Sequence, residues 1–208
     1  IADSRQAVSD REDVVVLTQG TLERITALRM EWSYHPGDDP AWADPEFDDS
    51  SWALVRPDLR NIEQIPGGWP GIGWFRRRVM LDPGAVNMAI GVWSVQAGAL
   101  ELYIDGKLAV RFGTVSADPE NERAISPQTL NSVTLRPGET HVFAVRFSNA
   151  TDNVFLGGFR GFEMWVGDIG KMVTWAVNTT RVYSGISAAA AGLFGAFALI
   201  HLLLFLAR

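Results

Sequence analysis

From Ile186 to Leu206 the chain is almost unbroken apolar, with Ser187 and His201 its only strongly polar members. No other stretch limits the architecture as much. At 1.5 Å of rise per residue, about 20 such residues cross a hydrocarbon core of about 30 Å, whereas a buried helix of a globular domain is usually shorter and carries a polar stripe. Leu193, Phe194, Phe197, Leu199, Ile200 and Leu202 to Phe205 go all the way round the helical circumference, so the run predicts one transmembrane helix over 186–206. Trp175 and Tyr183 precede it and Arg208 closes it, and these residue types favour the membrane interface. Ala188, Gly192 and Ala196 recur at a spacing of four, as do Ala191 and Gly195. Small residues so spaced let another helix approach closely, which predicts a span that packs against other transmembrane helices as well as lipid. His201 offers an imidazole to a haem or chlorophyll-type metal, a reading disfavoured by the absence of a second ligand motif, and it lies near the Arg208 end where it can reach the interface.

The rest of the chain, about 170 residues, is enough for one domain with a sizeable core and too little for two. A formal net charge of −6 and no Lys/Arg cluster beyond Arg76-Arg77-Arg78 exclude a basic nucleic-acid surface. The absence of cysteine excludes disulfides, thiolate catalysis and Cys-ligated metals. A start at Ile1 rather than Met leads us to expect either a mature N-terminus after removal of a signal peptide or a leader ahead of Ile1, and both fit an extracytoplasmic domain.

Residues 1–13 are polar and unpatterned and read as an N-terminal arm. Over 14–170 the text is that of short strands separated by turn chemistry. Val14 to Thr18 and Glu31 to Tyr34 read as strands, and His35 to Trp52, with Pro36, Pro40 and Pro45, reads as a long structured loop. After the Gly-rich loop Ile62 to Gly73, Trp74 to Leu81 alternates: Phe75, Arg77, Val79 and Leu81 on one face, Trp74, Arg76, Arg78 and Met80 on the other. Asn87 to Val95 is a further strand, and Leu100 to Phe112 is a hairpin joined at Asp105-Gly106 in a type I′ turn, because both turn residues need positive φ. Thr129 to Leu135 and His141 to Ser148 form another pair, with Phe143, Val145 and Phe147 facing the core, and Gly158 to Val166 is the last strand. The juxtamembrane segment covers 171–185. The pattern predicts an all-β sandwich followed by one C-terminal transmembrane α-helix.

Neither His35 nor His141 stands in a nucleophile or metal motif, so no catalytic residue is assigned. The acidic loop residues Asp38, Asp39, Asp44, Asp48 and Asp49 offer hard oxygen ligands and make calcium the candidate metal, although EF-hand spacing is lacking and Asp beside Pro, Gly and Ser is common as turn and cap chemistry. Trp42, Trp69, Trp74 and Trp93, with Arg77, are the candidate site for a carbohydrate-like ligand, which would stack on aromatics and be fixed by a few polar groups. Aromatics that pin loops to the sandwich are the commoner case. For Arg77, among apolar neighbours, a buried pair with a carboxylate is expected, with Arg76 and Arg78 on a solvated face.

The segments WSYHPGDDPAWADPEFDDSSW, WPGIGWFRRRVMLDP, ELYIDGKLAVRFG, HVFAVRFSN and GGFRGFEMWVGD resemble one known domain. It is the extracytoplasmic galactose-binding-like jelly roll of bacterial seven-transmembrane receptors with diverse intracellular signalling modules, itself similar to the sugar-binding domain of family 2 glycoside hydrolases. The resemblance covers about residues 30–170 and continues into GLFGAFALIHLLLFL, which is similar to the family's first span. It implies a non-catalytic periplasmic domain, N-terminus outside, held at a bacterial inner membrane. Two functions are then expected. With one span and no output domain in the sequence, the first is an accessory or scaffolding subunit on a larger membrane assembly, such as an electron-transport or light-harvesting complex. The alternative is the ligand-sensing module of a receptor.

Overall fold

The computed structural model describes residues 14–86, 88–124, 130–178, 194 and 197. The chain divides into two compact units, Ile1–Ile169 and Gly170–Arg208. In the first, β1 (Val14–Leu17), α1 (Gln19–Glu23), β2 (Thr26–Ala27), β3 (Trp32–Pro36), β4 (Ala53–Val55), β5 (Ile72–Leu81) and β6 (Ile90–Gln96) are followed by β7 (Ala99–Ile104), β8 (Lys107–Phe112), β9 (Asn131–Val133), β10 (Thr140–Ser148) and β11 (Phe162–Asp168). Seven strands form one sheet, ordered β4-β3-β5-β10-β7-β8 with β1 alongside β5, and four form the other, ordered β2-β11-β6-β9. One edge of β5 is divided: β3 pairs antiparallel with Gly73 to Arg76, and β1 pairs parallel with Arg78 to Leu81.

The alternation read from the sequence sets the core. Phe75, Val79 and Leu81 of β5, Phe143, Val145 and Phe147 of β10, and Leu100 and Leu102 of β7 meet Ile90, Val92, Phe162, Met164 and Val166 of the smaller sheet in one buried cluster. Phe162 lies edge-on to Phe75 at 5.2 Å and to Trp32 at 5.8 Å. Burying each such side chain contributes about 1.5–3 kcal/mol, and this cluster holds the two sheets together.

The outer face of the larger sheet is covered too, by the chain between β3 and β4. A short 3-10 turn (Pro40–Ala43) and the segment after it lay Ala43 and Trp52 against Trp74 and Ala144, with Trp42, Phe47 and Tyr103 packed around them. The predicted structured loop is therefore a third layer over the sheet.

Asp105 and Gly106 have φ of 49° and 78°, the left-handed pair a type I′ turn demands, and they join β7 to β8. One residue of β8 is extra: Tyr103 pairs with Leu108 but Leu102 with Val110, a bulge at Ala109. Three elements that the pattern did not signal, α1, β2 and β4, have only five, two and three residues. Residues 169–178 are helical. Among the described residues no helix is long and apolar enough to cross a membrane. The apolar run 186–206 lies outside them except for Phe194 and Phe197, which are helical and exposed. The arm 1–13, Tyr183, Ala188, Ala191, Gly192, Gly195, Ala196, His201 and Arg208 also lie outside them.

Candidate functional site

The outward side chains of β5 and β7 include two buried charges, Arg76 and Glu101. Arg76 is buried, and its Nε donates to Asp49 Oδ2 at 3.2 Å while Nη1 and Nη2 donate to the carbonyls of Trp42, Asp44 and Phe47. One guanidinium thus ties down three carbonyls and one carboxylate of the covering loop. Burial lowers its pKa, and the Asp49 charge offsets part of that shift. Asp49 also takes Arg78 Nη2 at 3.0 Å. This corrects the expectation for the arginine triplet: the fully buried guanidinium is that of Arg76, not Arg77. Arg77 is half-buried on the inner face of β5, and its Nη1 donates to the Glu31 carbonyl at 3.1 Å. The alternation was right and the solvated face was not, because a loop covers it.

A second group lies beside the first. Arg146 of β10 meets Asp38 through Nε at 2.7 Å and Nη2 at 2.6 Å, and Glu101 of β7 through Nη1 at 3.1 Å. Arg111 of β8 and the Tyr103 hydroxyl also donate to Glu101, at 2.9 and 3.0 Å. The Arg146 hydrogen bonds hold the Asp38 carboxyl below the usual aspartate range, and the same pair raises the Arg146 pKa. Burial, reinforced by Glu101, raises the Tyr103 hydroxyl. The charge pattern alone did not indicate this network.

The five aspartates considered as calcium ligands are not gathered into one ligand set. Asp38 is on Arg146 and Asp49 on Arg76 and Arg78. Asp39, Asp44 and Asp48 each accept a backbone N–H two residues ahead, from Ala41, Glu46 and Ser50, at 2.9, 2.9 and 3.0 Å. That is the turn and cap chemistry of short polar side chains. Among the described residues no group of three or more His, Asp or Glu is placed to hold a metal ion.

The four tryptophans considered for a sugar go to three places. Trp42 of the covering loop meets Trp74 of β5 edge-on at 6.4 Å. Trp69 packs on Phe147 at 5.6 Å at the core's edge, and its Nε1 donates to the Asn149 carbonyl at 3.2 Å. Trp93 is on the outer face of the smaller sheet beside Trp165, at 5.9 Å, with the Arg29 guanidinium 4.9 Å from the Trp165 ring centre. They do not line one concavity with Arg77. Trp175 stands among the helical residues 170–178 of the other unit.

A concavity of ligand size lies elsewhere among the described residues. Between β8 and β9, the outer strands of the two sheets, a cavity of about 460 Å³ is lined by residues that include Lys107, Leu108, Ser132, Val133, Thr134 and Arg136. At its rim Asp105 Oδ2 lies 2.6 Å from His141 Nδ1, Asp105 Oδ1 accepts the Val142 N–H at 2.9 Å, and His141 Nε2 accepts the Arg136 N–H at 2.9 Å. With Nε2 accepting the Arg136 N–H, Nδ1 is the ring nitrogen left to donate to Asp105. No motif in the sequence joins His141 to Asp105, 36 positions away.

No family model matches the sequence, and no curated protein matches it. Solved structures share the fold. A glycosyl hydrolase family 2 member from Bacteroides cellulosilyticus superposes with a TM-score of 0.50 at 19% identity, over 69% of this chain and 20% of that one. For Bacteroides uniformis beta-glucuronidase 2 the values are 0.48 and 22%, over 68% and 18%. For a Bacteroides vulgatus beta-glycosidase they are 0.46 and 15%, over 69% and 20%. The chain therefore spans about a fifth of the length of these enzymes. At these identities the likeness concerns the fold alone, a β-sandwich shared with the first of these enzymes.

Proposed function

We propose that the chain is a membrane-anchored, non-catalytic β-sandwich that docks on a larger membrane protein assembly as an accessory subunit, with its sandwich on the extracytoplasmic side. The observation that carries this is the exposure of large apolar side chains in the unit Gly170–Arg208. Val173, Trp175, Val177, Phe194 and Phe197 are 48, 42, 44, 75 and 63% exposed. Apolar side chains left open in this density mark a surface for lipid or for a protein partner. They belong to the same unit as the apolar run with its small residues at helix-packing spacing. In the sandwich, by contrast, Arg76, Arg146, Asp38, Asp49 and Glu101 are engaged with one another or with the backbone, which suits a scaffold. A second reading, a ligand-sensing module, is favoured by the cavity between β8 and β9.

Mild-detergent purification from native membranes, with mass spectrometry of everything that travels with the chain, tests the docking role. Membrane partners in constant stoichiometry are expected, and Gly192→Leu with Gly195→Leu should lower their yield by obstructing close helix approach. A chain that extracts alone, or that a carbonate wash releases from the membrane, would overturn it.

A further inference from the structure

We propose that the open end of the sandwich between β8 and β9 binds a small organic anion, a carboxylate or phosphate monoester of about hexose size. The site goes beyond the docking role and does not depend on it. β8 ends the order of the larger sheet and β9 that of the smaller, so the gap between them is bounded by the two outer strands. Its volume of about 460 Å³ falls in the range of about 300–1,000 Å³ usual for small-molecule sites.

The chemistry of the wall selects charge. Lys107 and Arg136 bring two cations to one concavity, in a chain whose formal net charge of −6 disfavours anions over the surface at large. Lys107 is exposed at the start of β8, beside the turn that sets its position. Arg136 meets Glu139 at 2.8 Å, and both side chains are exposed, so the pair is weak enough for the guanidinium to be shared with a ligand. The carboxylate of the wall, Asp105, has both oxygens occupied, one by His141 Nδ1–H and the other by the Val142 N–H. His141 Nε2 already accepts the Arg136 N–H, which together with the Asp105 contact ties the segment before β10 to the hairpin. Leu108 and Val133 give the cavity an apolar side on which a carbon skeleton can lie, and the Ser132 and Thr134 hydroxyls can meet its polar substituents.

Calorimetric titration of the full chain in neutral detergent, with galacturonate, galactose 6-phosphate and galactose as probes, tests this. The two anions are expected to bind, and the neutral sugar to bind at least about tenfold more weakly, as loss of a charge-assisted contact implies. Whichever anion binds more tightly identifies the source of the charge. Raising salt should weaken both. Lys107→Ala should weaken them about tenfold, and Leu108→Glu, which puts a carboxylate at the mouth, should abolish binding with the unfolding midpoint unchanged. Equal binding of galactose, no heat from either anion at millimolar concentration, or indifference to both substitutions would overturn the site. Any of those results with membrane partners still co-purifying leaves the docking role standing, so the two readings fail separately.

Discussion

On its inner face β5 presents Phe75, Val79 and Leu81 to the opposing sheet, and on its outer face Trp74, Arg76 and Arg78 to the loop between β3 and β4. Both faces are largely buried, by different physics. The inner contact is apolar, non-directional and roughly proportional to area, so it sets that two layers meet without specifying which loop lies where. The outer contact depends on one guanidinium reaching three carbonyls and a carboxylate at once. A buried charge tolerates no loss of its partners, which makes the outer layer the more specific and the more brittle of the two.

The sharpest way to break this contrast is to remove one member from each face. Phe143→Ala should cost about 3–5 kcal/mol in urea unfolding, with no second substitution to restore it. Arg76→Met should cost about the same, because it strands Asp49 with Arg78 as its remaining cation. Adding Asp49→Leu should recover about half, the unpaired loop carbonyls accounting for the remainder. If the double variant recovers nothing, the outer layer is held by packing alone and the contrast fails.

A smaller effect is expected one strand away. Arg146→Gln releases Asp38 and Glu101 together and should cost about 1–3 kcal/mol, with a changed near-ultraviolet signal from Trp74, whose Nε1 donates to Asp38. Stability unchanged by this variant would restrict the brittle part of the face to Arg76.

The smallest effect separates the faces by pH. Asp38 has a folded pKa held down by Arg146, so its contribution is complete above the ordinary aspartate pKa of about 3.9 and is lost as pH falls through the lowered value. Asp38→Asn should therefore flatten the acid limb of the stability curve in that window, while Phe143→Ala shifts the curve without changing its shape. An unaltered acid limb in Asp38→Asn would place the acid sensitivity elsewhere.

The hairpin shows how far the residues could be read directly. Asp105-Gly106 indicated the turn, and the turn is there. An unbroken two-residue register, however, would set Glu101 opposite Val110. The bulge at Ala109 sets it opposite Arg111 and so creates the ion pair at 2.9 Å. Nothing within the hairpin's alternation announces that extra residue. Likewise the aspartates of the acidic loop read correctly as turn formers, but which of them would leave that role for a cation did not show: Arg76 and Asp49 are 27 positions apart, and Arg146 and Asp38 108 apart.

Strand faces, turn residues, the apolar run and the capping aspartates follow from the sequence by itself, because each depends on backbone preferences and side chains within a few positions. Which face a loop covers, which arginine is buried, and which cations share the cavity between β8 and β9 were decided only by the tertiary structure. Alternation records the two sides of a strand, whereas desolvation is imposed by whatever distant segment comes to lie on each side.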